Sequence, residues 1–226
     1  ISEEGTPTIY DTEKFPIEVV LKNKGEEEVL PGKTMIRIKG INLNDFEGIR
    51  SENLSNGNKI EKISDYYPNG GEEVVDFTPS GGTKYKSNIT GFFKPEIFAE
   101  VTYRYKTYII IPQACFKEDP TEESVCKVKE QKTFYVSGAP ITVTRVDEDI
   151  AGKGLVVLFI NIENVGGGKV TLPSQEFKRD NQLSLKIKTT PEAWSCRGPG
   201  GENQARLSDG KATIVCKLNQ QLEAGS

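Results

Sequence analysis

The residues with chemistry to offer are four cysteines, the acid run Asp147-Glu148-Asp149 and two Asn-x-Ser/Thr triplets, in a chain of 226 residues with no histidine; the acids Glu26-Glu27-Glu28 and Glu122-Glu123 read as ordinary solvated turns. Without histidine the chain lacks the commonest general base, proton shuttle and metal ligand together. The cysteines are Cys115, Cys126, Cys196 and Cys216. Paired as Cys115–Cys126 and Cys196–Cys216, they close two short loops. Each link is worth roughly 2–3 kcal/mol through restriction of the unfolded chain, and implies an oxidising compartment. Zinc held by four thiolates is the alternative, with free thiols behind it. A zinc site takes a pair of close CxxC knuckles, and neither pair is close. Asp147-Glu148-Asp149 reads as a turn between two strands. It is a weak calcium candidate beside the plainer reading of a solvated tip, because the Asp-x-Asp-x-Asp-Gly pattern of a calcium loop is missing. No catalytic residue, cofactor site or other metal site stands out. No pair of carboxylates is singled out for glycoside hydrolysis. Gly166-Gly167-Gly168 joins strand to strand, whereas a phosphate cradle opens a helix. Asn53-Leu54-Ser55 and Asn88-Ile89-Thr90 are N-glycosylation triplets in polar loop sequence. Trp194, beside Cys196, is expected to pack on the disulfide rather than to stand exposed to sugar or a partner.

These groups must be held by strands. Apolar residues make up 35% of the chain while Gly and Pro number 22 and 12, which suits short strands and turns better than helices. Ile17, Val19 and Leu21 alternate with Glu18, Val20 and Lys22, and Met35, Arg37 and Lys39 with Thr34, Ile36 and Ile38, the period of half-buried strands. Residues 98–111 (FAEVTYRYKTYIII) are strongly strand-prone, with Tyr103, Tyr105 and Tyr108 as an aromatic ladder that serves sheet packing. Residues 42–71 read as a long exposed loop with one short helical turn and few apolar anchors: Phe46, Ile49 and Leu54. The net charge of −4 is spread without a basic patch, which argues against nucleic acid. No apolar run reaches about 20 residues, so no membrane span is expected. The start at Ile1, with neither Met nor signal peptide, reads as a mature or trimmed segment.

The chain also repeats. FPIEVVLKNKGEEEVLP from Phe15 is echoed by LVVLFINIENVGGGKVTLP from Leu155, with Asn23, Gly25 and Val29 recurring as Asn164, Gly166 and Val170 at an offset of 141. A repeat of that length means two copies of one small domain. Gly138-Ala139-Pro140 is the expected boundary, giving domains 1–137 and 138–226 with two cysteines in each. Gly25 of the Asn23-Lys24-Gly25 turn is expected at positive φ. In this alignment Val74-Val75-Asp76-Phe77 falls opposite Ile214-Val215-Cys216-Lys217, and the second copy stops before any counterpart of 98–111 and 127–136. It would thus lack its last strands and expose an edge. Three explanations follow: a fragment of a longer chain, strands donated by a neighbouring subunit, or a smaller variant that closes alone.

Val19-Val20-Leu21-Lys22-Asn23-Lys24-Gly25 and Phe159-Ile160-Asn161-Ile162-Glu163-Asn164-Val165-Gly166, with GAPITVTRV between them, resemble the immunoglobulin-like modules of CARDB or NEW3 type. Those are repeated in secreted or membrane-anchored archaeal and bacterial surface proteins. The resemblance implies an all-β chain of two tandem immunoglobulin-like sandwiches outside the cell. The function it implies is structural and non-enzymatic: a disulfide-bonded, glycosylated subunit or segment of a filament, sheath or surface layer, meeting copies of itself by strand or edge pairing. Two alternatives remain. One is an adhesin-like ectodomain binding glycan or protein through 42–71 and 197–209. The other is the non-catalytic stalk of a larger surface enzyme.

Overall fold

The computed structural model describes residues 9–117, 119, 126–152, 154–173, 175, 177, 181–188 and 194–219. The period-two runs become strands, and the described residues contain no α-helix. The chain divides into two compact units, Ile1–Tyr105 and Lys106–Ser226.

In the first unit β1 (Glu18–Lys22), β2 (Thr34–Lys39), β3 (Phe46–Glu47), β4 (Asn53–Ser55), β5 (Glu72–Asp76), β6 (Lys84–Tyr85) and β7 (Phe98–Tyr103) follow in order. β1 pairs with β5, β3 with β6, and β2 lies between β4 and β7, all antiparallel. Ile17, Leu21, Ile36, Ile38, Ile60, Val75 and Phe77 fill the core, the faces the alternation selects. Residues 42–71 are more ordered than their composition suggests. They hold a 3-10 turn at Leu43–Asp45, β3 and β4. Ile60 bridges to Val29, and Phe46 is buried. Buried Asn56 ties this segment down. Its Oδ1 accepts from the Thr34 N–H at 2.9 Å, and its Nδ2 donates to the Leu30 and Asn58 carbonyls at 2.9 and 2.8 Å.

The second unit runs β8 (Ile109–Ile110), β9 (Glu130–Gln131), β10 (Tyr135–Val136), β11 (Ile141–Gly152), β12 (Leu155–Asn164), β13 (Gln182–Ser184), β14 (Trp194–Gly198), β15 (Gly201–Glu202), β16 (Gln204–Arg206) and β17 (Lys211–Leu218). Six strands form one sheet in the order β15-β14-β17-β12-β11-β9, and β13–β16 and β10–β8 are separate antiparallel pairs. The core of Val143, Val146, Leu158, Ile160, Ile162, Ala205, Leu207 and Ile214 is covered by Ile109, Ile111, Phe134, Leu183, Leu185 and Ile187.

That covering layer moves the boundary. Residues 106–137, expected in the first domain, belong to the second unit. Ile109, Ile111 and Phe134 pack on its core, and β9 extends its sheet beside β11. Chain upstream of Gly138-Ala139-Pro140 therefore contributes to the second unit, with β9 on its sheet and Ile109, Ile111 and Phe134 on its core. The cysteines move with them. Cys115–Cys126 and Cys196–Cys216 are both formed, and both lie in the second unit rather than one in each.

The repeat survives in hydrogen bonds. Asn23 Oδ1 accepts from the Gly25 N–H at 3.0 Å and its Nδ2 donates to the Glu27 carbonyl at 2.8 Å. Asn164 Oδ1 accepts from the Gly166 N–H at 3.2 Å and its Nδ2 donates to the Gly168 carbonyl at 2.7 Å. The Asn23 N–H meets the Gly71 carbonyl as the Asn164 N–H meets the Gly210 carbonyl. This last pair corrects by one residue the expected match of Val74–Phe77 with Ile214–Lys217, which has an offset of 140. β5 matches β17 at an offset of 139, so that buried Val75 and Phe77 correspond to buried Ile214 and Cys216. A slip of one residue would have turned each pair to the opposite face. Neither Gly25 nor Gly166 has positive φ. Close approach explains them instead: a Cβ would lie 1.9 Å from the Tyr105 hydroxyl at Gly25 and 2.6 Å from Pro140 Cβ at Gly166. The two Asn side chains differ in burial. Asn23, buried and also donating to the Ile60 carbonyl at 3.3 Å, caps a loop within the first core. Asn23→Ala is expected to cost about 2 kcal/mol and Asn164→Ala about 1 kcal/mol by urea denaturation, since burial raises the cost of stranded groups.

Candidate functional site

The acid triplet lies within β11 rather than in a turn. Its partner β12 forces a register shift between Val143 and Arg145, a β-bulge that resets the strand's alternation. Val143 faces the core before the bulge, and Val146 and Glu148 after it. Asp147 turns to the other face, where both its oxygens are bonded by Arg145. Asp149 Oδ1 accepts from the Ile150 N–H at 2.8 Å. The three acids are thus split between faces. Among the described residues no group of three or more His, Cys, Asp or Glu side chains converges as a metal would need.

Glu148 instead meets a cation that sequence reasoning passed over. The Lys132 N–H bonds the Val146 carbonyl at 2.8 Å, which brings the side chain alongside β11. Lys132 Nζ lies 2.7 Å from Glu148 Oε2, 2.7 Å from Glu130 Oε1 and 2.7 Å from the Lys127 carbonyl. Three acceptors saturate the ammonium. Glu148 also accepts from the Cys115 N–H, at 3.0 and 3.1 Å to its two oxygens. Lys132 and Glu148 are both buried. Burial pushes the Glu148 carboxyl above the usual carboxylate range, against the pull of Lys132 and the Cys115 N–H. Burial alone would lower the Lys132 pKa, but the hydrogen bonds to Glu130 and Glu148 outweigh it and hold the ammonium above the ordinary lysine range. The arrangement is an ion pair that ties β9 and β11 to the backbone at Cys115, one end of the Cys115–Cys126 disulfide. Cys115, Val128 and Val156 form a small apolar cluster beside it, with Phe116 and Cys126 against them. The signal in the sequence was Arg145, which plain alternation places on the inward face with Val143.

Trp194 packs with Cys196 and Cys216 in the main core and meets Phe116 edge to face at 5.7 Å. Cys196 and Cys216 sit directly opposite each other on β14 and β17. Asn53 is exposed on β4, and Asn88 is exposed in irregular chain. Glu122-Glu123 lies outside the described residues.

The surface of the first unit offers contact rather than chemistry. Ile36 and Ile38 of β2 are buried, yet their partners across the ladder, Val101 and Ala99 on β7, are exposed. Phe98, Val101 and Tyr103 are 55%, 38% and 46% exposed. Tyr103 meets Tyr105 edge to face at 6.2 Å, while Tyr108 belongs to the second unit. β7 is an edge strand. Tyr66 and Phe92 are about nine-tenths exposed in loops.

No protein-family model, curated protein or solved structure matches the chain. Two disulfides are compatible with an oxidising, extracellular setting. Among the described residues no helix is long and apolar enough to cross a membrane.

Proposed function

We propose that the chain is an extracellular structural protein: two tandem immunoglobulin-like modules of CARDB or NEW3 type, serving as a subunit or segment of an archaeal-type surface assembly. The observation that carries this reading is the recurrence of the Asn-x-Gly pin. It comes with matching antiparallel pairs, β1–β5 and β12–β17. A second pair recurs in each unit as well, β2–β4 and β13–β16. Duplicated β-modules joined head to tail suit a role in which length and cohesion matter. Disulfides and the exposed Asn53 and Asn88 fit an outside surface that carries glycans. Electron microscopy of the purified full chain is the test. Regular fibres or a lattice are expected, and a monodisperse monomer at every concentration tried would end this reading. Tyr66 and Phe92 favour a second reading, an adhesin-like ectodomain, since exposed aromatic rings stack on sugars. Glycan binding by the monomer that disappears in Tyr66→Ala and Phe92→Ala would favour it instead.

A further inference from the structure

We propose that β7 is a self-pairing strand: two copies of the chain join antiparallel through their β7 edges, with Val101 on the two-fold axis. The inference rests on the surface-assembly reading above and names the contact.

Backbone direction comes first. The Ile38 N–H donates to the Glu52 carbonyl, and the Asn56 N–H to the Thr34 carbonyl. Thr34, Ile36 and Ile38 therefore turn their backbone groups toward the β4 side. Met35, Arg37 and Lys39 turn theirs toward β7, where they face Thr102, Glu100 and Phe98. In an antiparallel ladder those three β7 residues bond to β2, and their neighbours point the other way. The N–H and C=O groups of Ala99, Val101 and Tyr103 thus project from the sheet edge, and no described residue pairs with them. An edge of this kind is ordinarily blunted by Lys, Pro or a bulge, and FAEVTY has neither Lys nor Pro.

Register comes second. Only alignments that set outward residues opposite outward residues form bonds. An axis at Glu100 puts two carboxylates face to face, which destabilises a strand pair. An axis at Thr102 engages only Val101 and Tyr103. An axis at Val101 engages all three outward residues, giving three narrow pairs and about six hydrogen bonds. It also sets small Ala99 against Tyr103, Glu100 against Thr102, and Phe98 against Arg104, a favourable ring–cation pair. The strand is complementary to itself, which selects a second copy as the occupant. The contact is isologous and closes as a dimer. A lattice would be built from such dimers through another surface.

Single cysteines test the axis, since both native pairs are closed and no free thiol competes among the described residues. Under mild oxidation Val101→Cys is expected to give a covalent dimer at least about tenfold faster than Ala99→Cys or Tyr103→Cys alone, whose own copies lie beyond disulfide reach. Mixing Ala99→Cys with Tyr103→Cys chains should give the mixed dimer. Val101→Lys, at an exposed site, should abolish the dimer seen by sedimentation. If fibres or lattice persist in Val101→Lys and Val101→Cys fails to link, pairing through β7 is wrong while the assembly reading stands. A wild-type chain that stays monomeric and forms no lattice overturns both.

Discussion

Replacing Lys132 with methionine is expected to cost the second unit about 3–5 kcal/mol, because it strands the buried Glu148 carboxylate with only the Cys115 N–H for company. The loss should exceed that of Glu148→Gln, where an amide oxygen still faces the ammonium and Lys132 keeps Glu130 and the Lys127 carbonyl. Removing both partners, as Lys132→Met with Glu148→Leu, should cost less than the two single changes added together. The pH dependence is distinctive. The folded pKa of Lys132 is raised, so its contribution is complete below the ordinary lysine range and is lost only as pH climbs past the folded value. Glu148 is also raised, by burial. Its own contribution is therefore largest below the usual carboxylate range and declines as pH rises through the folded value. Acidification therefore neutralises Glu148 sooner than an ordinary carboxylate, leaving a neutral hydrogen bond to Lys132, without the loss of stability that follows protonation of a carboxylate whose pKa is depressed. Urea titrations of the wild type and Lys132→Met between acid and neutral pH measure both points. A Lys132→Met chain within about 0.5 kcal/mol of the wild type, the range of an ordinary surface change, would rule the buried pair out.

Removing the Cys196–Cys216 link, as Cys196→Ala with Cys216→Ala, should destabilise the second unit by roughly 3 kcal/mol and lower its melting temperature on the order of 10 °C. The separation of 20 residues sets the freedom regained by the unfolded chain, and both cysteines lie in the core beside Ile214 and Trp194. Because both disulfides belong to Lys106–Ser226, reductant should move one part of a calorimetric trace and leave the part due to the first unit in place. Had the first pair belonged to the first unit, both parts would shift. A trace untouched by reductant, with both links shown to be reduced, would mean that neither link stabilises the second unit.

The elements that could be read from the sequence are those governed by local chemistry. Asn23 and Asn164 announce their turns because the side chain bonds the backbone two and four residues on. Strands β1, β2, β5, β12 and β17 follow the alternation of their apolar residues. What escaped was set by distant partners. The bulge after Val143 decides that Glu148, not Asp147, faces inward, and it exists only in the pairing with β12. Lys132 is buried because three acceptors converge from the chain around it, which no pattern in KVKEQK foretells. The boundary was misplaced because the described residues of 106–137 carry little regular structure, β8, β9 and β10 of two residues each. Their allegiance is decided by Ile109, Ile111 and Phe134 lying on another core. Residues 98–111 read as one strand, yet the division falls within them, at Tyr105. The exposed edge of β7 was hidden for the opposite reason: its composition is that of an interior strand.

The cross-links also govern how the chain would bear tension. A load applied at the two ends passes through Cys115–Cys126 and Cys196–Cys216 rather than around them. Their loops, with sequence separations of 11 and 20 residues, stay locked even when every strand has let go. At about 3.4 Å per extended residue, roughly 100 Å of tether is withheld, so a stretched molecule would reel out less slack and recoil over a shorter path.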